Sequence, residues 1–197
     1  MKIEFLETIK VIDGSFYHLE YHQNRYEQTL GSYGIKNCTE LQDILEAPPK
    51  GLYRCRVVYD LDGGLTQEYH PYKKRDIKKL KLIESNSLSY EKKFANREAI
   101  DALFTQRGEC DDILIVQNGL LTDTTIANIA LYDGKEWWTP KRALLAGTTR
   151  QRALDNGFVK ERDIQVDDLK SYSALAVMNA MIDFDIITDK KIEEIIC

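Results

Sequence analysis

Residues Leu145-Ala146-Gly147-Thr148-Thr149-Arg150 place a glycine and two hydroxyl side chains just ahead of Arg150–Asn156, a segment that reads as a helix ended by Asn156-Gly157. Free backbone N–H groups, two hydroxyl donors and the positive end of a helix dipole then converge on one spot, and that spot suits a phosphate. Gly-Thr-Thr is also an ordinary helix cap, and on these six residues alone that alternative stays open.

Other groups with chemical potential are spread along the chain. Lys93-Phe94-Ala95-Asn96-Arg97 offers an amine, although Lys93 beside Lys92 also reads as a plain surface pair. Thr122-Asp123-Thr124-Thr125-Ile126-Ala127-Asn128-Ile129 offers a carboxylate with an asparagine five residues on, although Asp123 also reads as a turn aspartate. Val177-Met178-Asn179-Ala180-Met181 follows, and near the start stand Leu6-Glu7-Thr8-Ile9-Lys10-Val11, Asp13-Gly14 and His22-Gln23-Asn24-Arg25. In this order and these spacings, from about residue 5 to residue 184, the motifs resemble the fold-type IV (class IV) pyridoxal-phosphate enzymes. That family includes branched-chain and D-amino-acid aminotransferases and aminodeoxychorismate lyase.

The resemblance implies a cofactor, pyridoxal 5'-phosphate, and a set of residues to hold it. Such chemistry needs an amine for the aldehyde, an anion at the pyridine nitrogen, donors for the phosphate and control of the substrate side. By position in the motifs, Lys93 is the amine and the catalytic residue; Lys92 falls out of register. Asp123 stands where the family places a glutamate facing the ring nitrogen, one methylene short. Thr148 and Thr149 take the phosphate, Arg25 of His-x-x-Arg adds a charge-assisted bond, and Asn179 with Ala180 closes the other side. His22 is expected to pack, Arg150 to cap or pair locally, and Arg97 to be either an ion-pair partner or a substrate-carboxylate contact.

Lys-x-x-Asn-Arg is closer to the lyase-like branch than to the Gly-Asn-Tyr version of branched-chain aminotransferases. The implied activity is pyruvate elimination from 4-amino-4-deoxychorismate to give 4-aminobenzoate, with Lys93 as base and later acid. Two alternatives stand beside it. One is an aminotransferase acting on branched-chain or D-amino acids with a 2-oxo acid. The other is a cofactor-binding paralogue without catalysis, suggested by an N-terminus shorter than the family's and by an end soon after Asn179. A homodimer and a small amine or amino-acid substrate are further implications of the resemblance.

These residues need a scaffold, and the pattern is α+β, a D-amino-acid-aminotransferase-like arrangement. Residues 3–12 alternate as a strand that turns back at Asp13-Gly14. Leu19, His22, Tyr26, Leu30 and Tyr33 recur at helical spacing, with His22 and Arg25 on one face. Thr39-x-x-Gln42 reads as a capping box before Pro48-Pro49, and Leu52–Tyr59 with Leu65–His70 reads as a hairpin. A charged connector, Lys73–Lys81, leads to a second part that opens with a helix from Lys93 to Phe104. Strands are expected at 113–116, 120–121, 128–132, 137–139, 164–166 and 174–178, making a barrel-like β part with external helices. The division is 1–84 for a small N-terminal α+β domain and 85–197 for the C-terminal domain carrying the cofactor lysine.

Composition narrows the partners. The 197 residues are 43% hydrophobic, enough for a sizeable core, and the net charge of −5 disfavours nucleic acid and anionic membranes. The basic run at Lys73-Lys74-Arg75 lacks stacking aromatics at regular spacing and reads as a solvated face. No signal-peptide core follows Met1, and the apolar stretch Ala174–Ile182 is too short to span a bilayer, so a cytoplasmic protein is expected. The four cysteines show no Cys-x-x-Cys spacing and read as plain thiols rather than metal ligands.

Overall fold

A computed structural model describes residues 2–187 and 192–196 of the chain. The elements begin β1 (Glu4–Ile12), β2 (Ser15–Phe16), α1 (Leu19–Gly31), α2 (Leu41–Ile44), β3 (Leu52–Asp60) and β4 (Leu65–Pro71). They continue β5 (Leu80–Glu84), α3 (Glu98–Phe104), β6 (Asp112–Gln117), β7 (Leu120–Thr124), β8 (Asn128–Tyr132) and β9 (Trp137–Pro140). The rest are α4 (Thr148–Asp155), β10 (Val159–Arg162), a 3₁₀ helix at Val166–Ser171, β11 (Ala174–Asn179), β12 (Asp183–Ile186) and α5 (Ile192–Ile195). The class is α+β, as the patterning implies.

The chain forms two compact units, Met1–Lys74 with Lys92–Asn96, and Arg75–Glu91 with Arg97–Cys197. This grouping differs from the expected division at 84/85, because the segment holding Lys93 returns to the first unit. The reason is aromatic pairing. Phe94 stands opposite Phe5 of β1 with ring centroids 5.4 Å apart, while Leu6 N donates to Lys93 O at 2.8 Å and Ala95 N to Glu4 O at 2.9 Å. Residues 93–96 are therefore not helical, Phe94 forming an isolated bridge to β1, and the helix expected from Lys93 starts only at Glu98.

In the first unit the sheet order is β2-β1-β3-β4, all antiparallel. Asp13 and Gly14 both take positive φ, 45° and 83°, which suits the tight return into β2. Phe5, Ile9 and Val11 of β1 pack with Cys55, Val57 and Tyr59 of β3 under Tyr26 and Leu30 of α1. The Thr39–Gln42 capping box does not form: Glu40 is the N-cap residue and makes no side-chain cap bond. Gln23 Oε1 instead accepts from Leu41 N at 2.8 Å, so a residue of α1 satisfies the short helix.

In the second unit the strand path is β10-β9-β8-β7-β6-β5, with β11 pairing β8 and β12. Its core gathers Leu114, Leu121, Ile129, Leu131, Leu175 and Val177. The expected hairpin at Asn118-Gly119 is present, both residues at positive φ. Three strands, β5, β10 and β12, lie where the patterning implies none, β5 within the stretch expected to be a connector, and residues 164–166 are not a strand: only Gln165 bridges Leu120 before the 3₁₀ helix begins. Cys38 and Cys55 are free thiols, whereas Cys110 is disulfide-bonded and so departs from the expected free thiol. No described helix is long and apolar enough to cross a membrane.

Candidate active site

The first unit brings an acid, an imidazole and a guanidinium together beneath α1. Glu7, on β1, is fully buried. Its Oε2 lies 2.6 Å from His22 Nδ1 and accepts from Arg25 Nη2 at 2.5 Å, and its Oε1 accepts from Arg25 Nε at 2.8 Å. Burial pushes the Glu7 carboxyl up, but the Arg25 charge and the donors from His22 and Arg25 outweigh it and leave the pKa at about 2. Burial holds the His22 pKa below the usual histidine value, despite Glu7, and the charges of Arg25 and then Lys93 depress it further. An ionised Glu7 beside a neutral imidazole assigns the proton to Nδ1. His22 thus packs as expected, and Arg25 is held by the fork-to-fork geometry that suits guanidinium and carboxylate.

Glu7 is the residue that sequence reasoning missed. It stood inside the quoted Leu6-Glu7-Thr8 motif without a role. The signal was an acid on the inward face of a strand between Phe5 and Ile9, with His22 and Arg25 sharing a helix face to meet it.

The second unit assembles its groups around one side-chain amide. Asp123, on β7, is only 4% exposed. Asn128 Nδ2 donates to Asp123 Oδ1 at 2.9 Å and to Leu145 O at 2.8 Å, while Leu145 N donates to Asp123 Oδ2 at 2.9 Å. Burial, partly offset by these donors and by Arg150, raises the Asp123 pKa to about 6. A carboxyl so placed gains from a cation brought to it.

Leu145 opens the loop into α4. A Cβ on Gly147 would come within 1.9 Å of Asn128 Oδ1, so only glycine lets the loop pass this close. Thr148 and Thr149 then head α4, which begins two residues earlier than expected, and its first intrahelical bond is Gln151 N to Gly147 O. Neither hydroxyl has a hydrogen-bond partner among the described residues, and both residues are buried. Arg150 pairs locally, donating through Nη2 to Pro140 O at 2.9 Å and Glu161 Oε1 at 2.6 Å.

Asn179, at the end of β11, donates through Nδ2 to Ile126 O at 3.2 Å, and its Oδ1 accepts from Met181 N and Ile182 N at 2.9 and 3.1 Å. It therefore braces the turn that joins Asp123 to Asn128 and orders the backbone around Ala180. Arg97 meets the same turn, donating to Thr125 O at 2.8 Å, with Asp101 3.7 Å away. A cavity of about 430 Å³ in the first unit is lined by Tyr26, Leu30, Leu65, Asp60 and Gln67. Its acid, Asp60, already binds Lys2, Asp62 N and Gly64 N.

A buried acid, an amide clamp, a glycine-led helix start and a bracing asparagine occur in the order of one family. The model for that family, amino-transferase class IV, matches residues 4–188. The chain belongs to this family. It is therefore an enzyme of a pyridoxal-phosphate-dependent class. The chain is 33% identical over 181 residues to an uncharacterized protein of Haemophilus influenzae, covering 89% of this chain and 96% of that one. It is 28% identical to a provisionally assigned aminodeoxychorismate lyase of Schizosaccharomyces pombe, covering 85% of this chain and 82% of that one. Among solved structures, a provisionally assigned 4-amino-4-deoxychorismate lyase of Haemophilus somnus superposes with a TM-score of 0.84 at 30% identity, covering 92% of this chain and 97% of that one.

The class IV cofactor fits the groups in hand. Its ring nitrogen, when protonated, would set a second cation, besides Arg150, against buried Asp123. Its phosphate offers acceptors to the Thr148 and Thr149 hydroxyls and to the backbone at the start of α4.

Proposed function

We propose that the protein is a pyridoxal-phosphate-dependent lyase of the aminodeoxychorismate type, releasing pyruvate and 4-aminobenzoate from 4-amino-4-deoxychorismate. What supports the reaction is Lys93-Phe94-Ala95-Asn96-Arg97, the lyase-like form of the lysine motif, together with relatives of that description at 28% and 30% identity. The cofactor assignment is supported by the family match and by the buried Asp123 carboxyl, which a cation brought to it would stabilise.

Lys93 would hold the cofactor's aldehyde, and the group, when bound, would supply an electron sink for the substrate's amine. Asp123 keeps the ring nitrogen protonated; Asn128 and Leu145 N hold its carboxylate in place. Thr148, Thr149, Arg25 and the Asn179–Ala180 segment bind the phosphate. The Lys93 amine would serve as the base that removes the proton from the ring carbon bearing the substrate's amine. The C–O bond to the enolpyruvyl group breaks as the ring becomes aromatic, and the departing group takes a proton at its methylene carbon to become pyruvate. No net oxidation occurs, so no 2-oxo acid is consumed. The enzyme is taken to act as a cytoplasmic homodimer.

The family description favours a second reading, transamination of branched-chain or D-amino acids with a 2-oxo acid. Both are tested together by borohydride reduction of the holoenzyme, peptide mapping, and product assays with each substrate. The expected result is a pyridoxyl group on Lys93 and 4-aminobenzoate formed without any 2-oxo acid. Product that appears only when a 2-oxo acid is supplied would select the aminotransferase. A reduced protein without pyridoxyl on Lys93 would remove the cofactor assignment.

A further inference from the structure

The turn that joins Asp123 to Asn128 is tied from three sides. Thr124 N donates to Ala127 O at 2.9 Å and closes it, and Asp123 stands opposite Asn128 at the ladder position between β7 and β8. Arg97 and Asn179 reach the turn through the backbone oxygens of Thr125 and Ile126, by bonds that are part-buried and exposed. The third tie is a side-chain pair. Thr125 Oγ1 donates to Asp112 Oδ1 at 2.7 Å, with Asp112 0% and Thr125 5% exposed. Water competes for the first two ties and is kept from the third, so the buried pair is the one that fixes the tip of the turn.

Asp112 begins β6, and its Oδ1 also accepts from Ile113 N at 2.8 Å, while Oδ2 has no hydrogen-bond partner among the described residues. A buried carboxyl with one oxygen unmatched costs stability, so the position calls for a role other than folding. Burial raises the Asp112 pKa, with the Thr125 hydroxyl the largest opposing influence. A proton taken up goes to Oδ2, because Oδ1 already meets two donors. Oδ1 therefore accepts from Thr125 in either charge state.

We infer that Asp112 is a positioning residue for Asp123: by holding the Thr125 hydroxyl it fixes the turn that aims the Asp123 carboxyl at the cofactor's ring nitrogen. The inference rests on the cofactor reading above. Asp112 acts through Thr125 and the turn backbone, and what it supplies is an acceptor oxygen at a fixed place rather than a charge. Any residue that keeps that oxygen should keep the function, and any that deletes it should loosen the aim of Asp123.

The test compares the affinities of the apoenzyme for pyridoxal phosphate and for its 1-deaza analogue, in which C–H replaces the ring nitrogen. The ratio isolates the contact at that nitrogen and needs no turnover. Thr125→Val removes the hydroxyl at nearly constant volume and should lower the ratio about fivefold, the effect of one hydrogen bond. Asp112→Ala should lower it similarly, and the double variant should fall no further, because both changes break the same tie. Asp112→Asn keeps an acceptor oxygen and Thr125→Ser keeps the hydroxyl, so both should hold the wild-type ratio. Binding of the deaza analogue should change little throughout. Equal effects on the two ligands in Thr125→Val, or a ratio that falls as far in Thr125→Ser, would reduce the pair to a structural contact and overturn the inference. The two Thr125 variants decide the point even if Asp112→Ala does not fold. A wild-type protein that binds the deaza analogue as tightly as pyridoxal phosphate would take Asp123 away from the ring nitrogen and overturn the inference too. One that binds neither would remove the cofactor reading itself, an outcome distinct from the others.

Discussion

Asn128 Nδ2 donates to Asp123 Oδ1 at 2.9 Å and, through its second hydrogen, to Leu145 O at 2.8 Å. One amide thus ties a buried carboxyl on β7 to the loop that leads into α4. Asn128→Ala would strip a donor from two acceptors, the buried Asp123 carboxyl and the part-buried Leu145 O. Each buried group left unpaired costs about 1–3 kcal/mol, so denaturant unfolding should show a loss in that range or above it. Cofactor affinity should fall with it, because acid and loop lose their common tether.

Gly147→Ala probes the same clamp from the other side. The added methyl would sit 1.9 Å from Asn128 Oδ1, and the neighbour cannot yield without breaking its bonds to Asp123 and Leu145. Overpacking of this kind costs about 1–3 kcal/mol. The expected outcome is a lower melting temperature with weakened phosphate binding, checked by the ratio of pyridoxal-phosphate to pyridoxal affinity.

The pH dependence of stability should carry the mark of Asp123. Its pKa is raised from 3.8 to about 6 in the folded chain, so between those values the native state holds a proton that the unfolded state has released. Stability of the apoenzyme therefore falls as pH rises from about 4 to 6, by up to ~3 kcal/mol from this group. Asp123→Asn should flatten that slope, and a protonated ring nitrogen beside the wild-type acid should flatten it too. Melting curves of apoenzyme, holoenzyme and variant between pH 4 and 7 check this; an unchanged slope in Asp123→Asn contradicts it.

Glu7 predicts the opposite sign at lower pH. Its pKa is about 2 against 4.5, so the native state sheds a proton that the unfolded state keeps. The stability it contributes is complete above pH 4.5 and is lost as pH falls toward 2. Acid titration of Glu7→Gln, followed by circular dichroism, should show a weaker loss over that range than the wild type.

Thr148→Val and Thr149→Val each remove a hydroxyl that has no acceptor among the described residues, so apoenzyme stability should barely change. Affinity for pyridoxal phosphate should drop about tenfold for each, as expected for a hydrogen bond to a charged ligand. Isothermal titration against both pyridoxal phosphate and pyridoxal checks it. Equal effects on the two ligands would place the hydroxyls away from the phosphate.

Much of the local structure was legible because its causes are local. Asp13-Gly14 and Asn118-Gly119 supply the positive φ angles that two hairpins need, and both hairpins are present. His22, Tyr26 and Leu30 recur at helical spacing and are buried, whereas Tyr33, in the same series, lies beyond α1 and is 41% exposed. The Asp123–Asn128 spacing announced a pair that does meet, across the single β7–β8 ladder position that joins them. Strand β10 was not legible: three of its four residues are exposed and charged, so no alternation marks it, and its pairing with β9 is set by the fold.

The order of the motifs, and with it the family and the cofactor expectation, came from the chain alone, since residue types at fixed spacings survive any reading of the fold. Tertiary structure decided what those residues hold. Lys93 lies outside any helix because Phe94 meets an aromatic partner 89 positions earlier, a contact that outweighs local helix preference. Arg25 is fixed by Glu7, eighteen residues away across strand and helix, because a buried carboxylate must gather every donor in reach. Such pairings depend on which faces the core brings together, and no one-dimensional pattern records that.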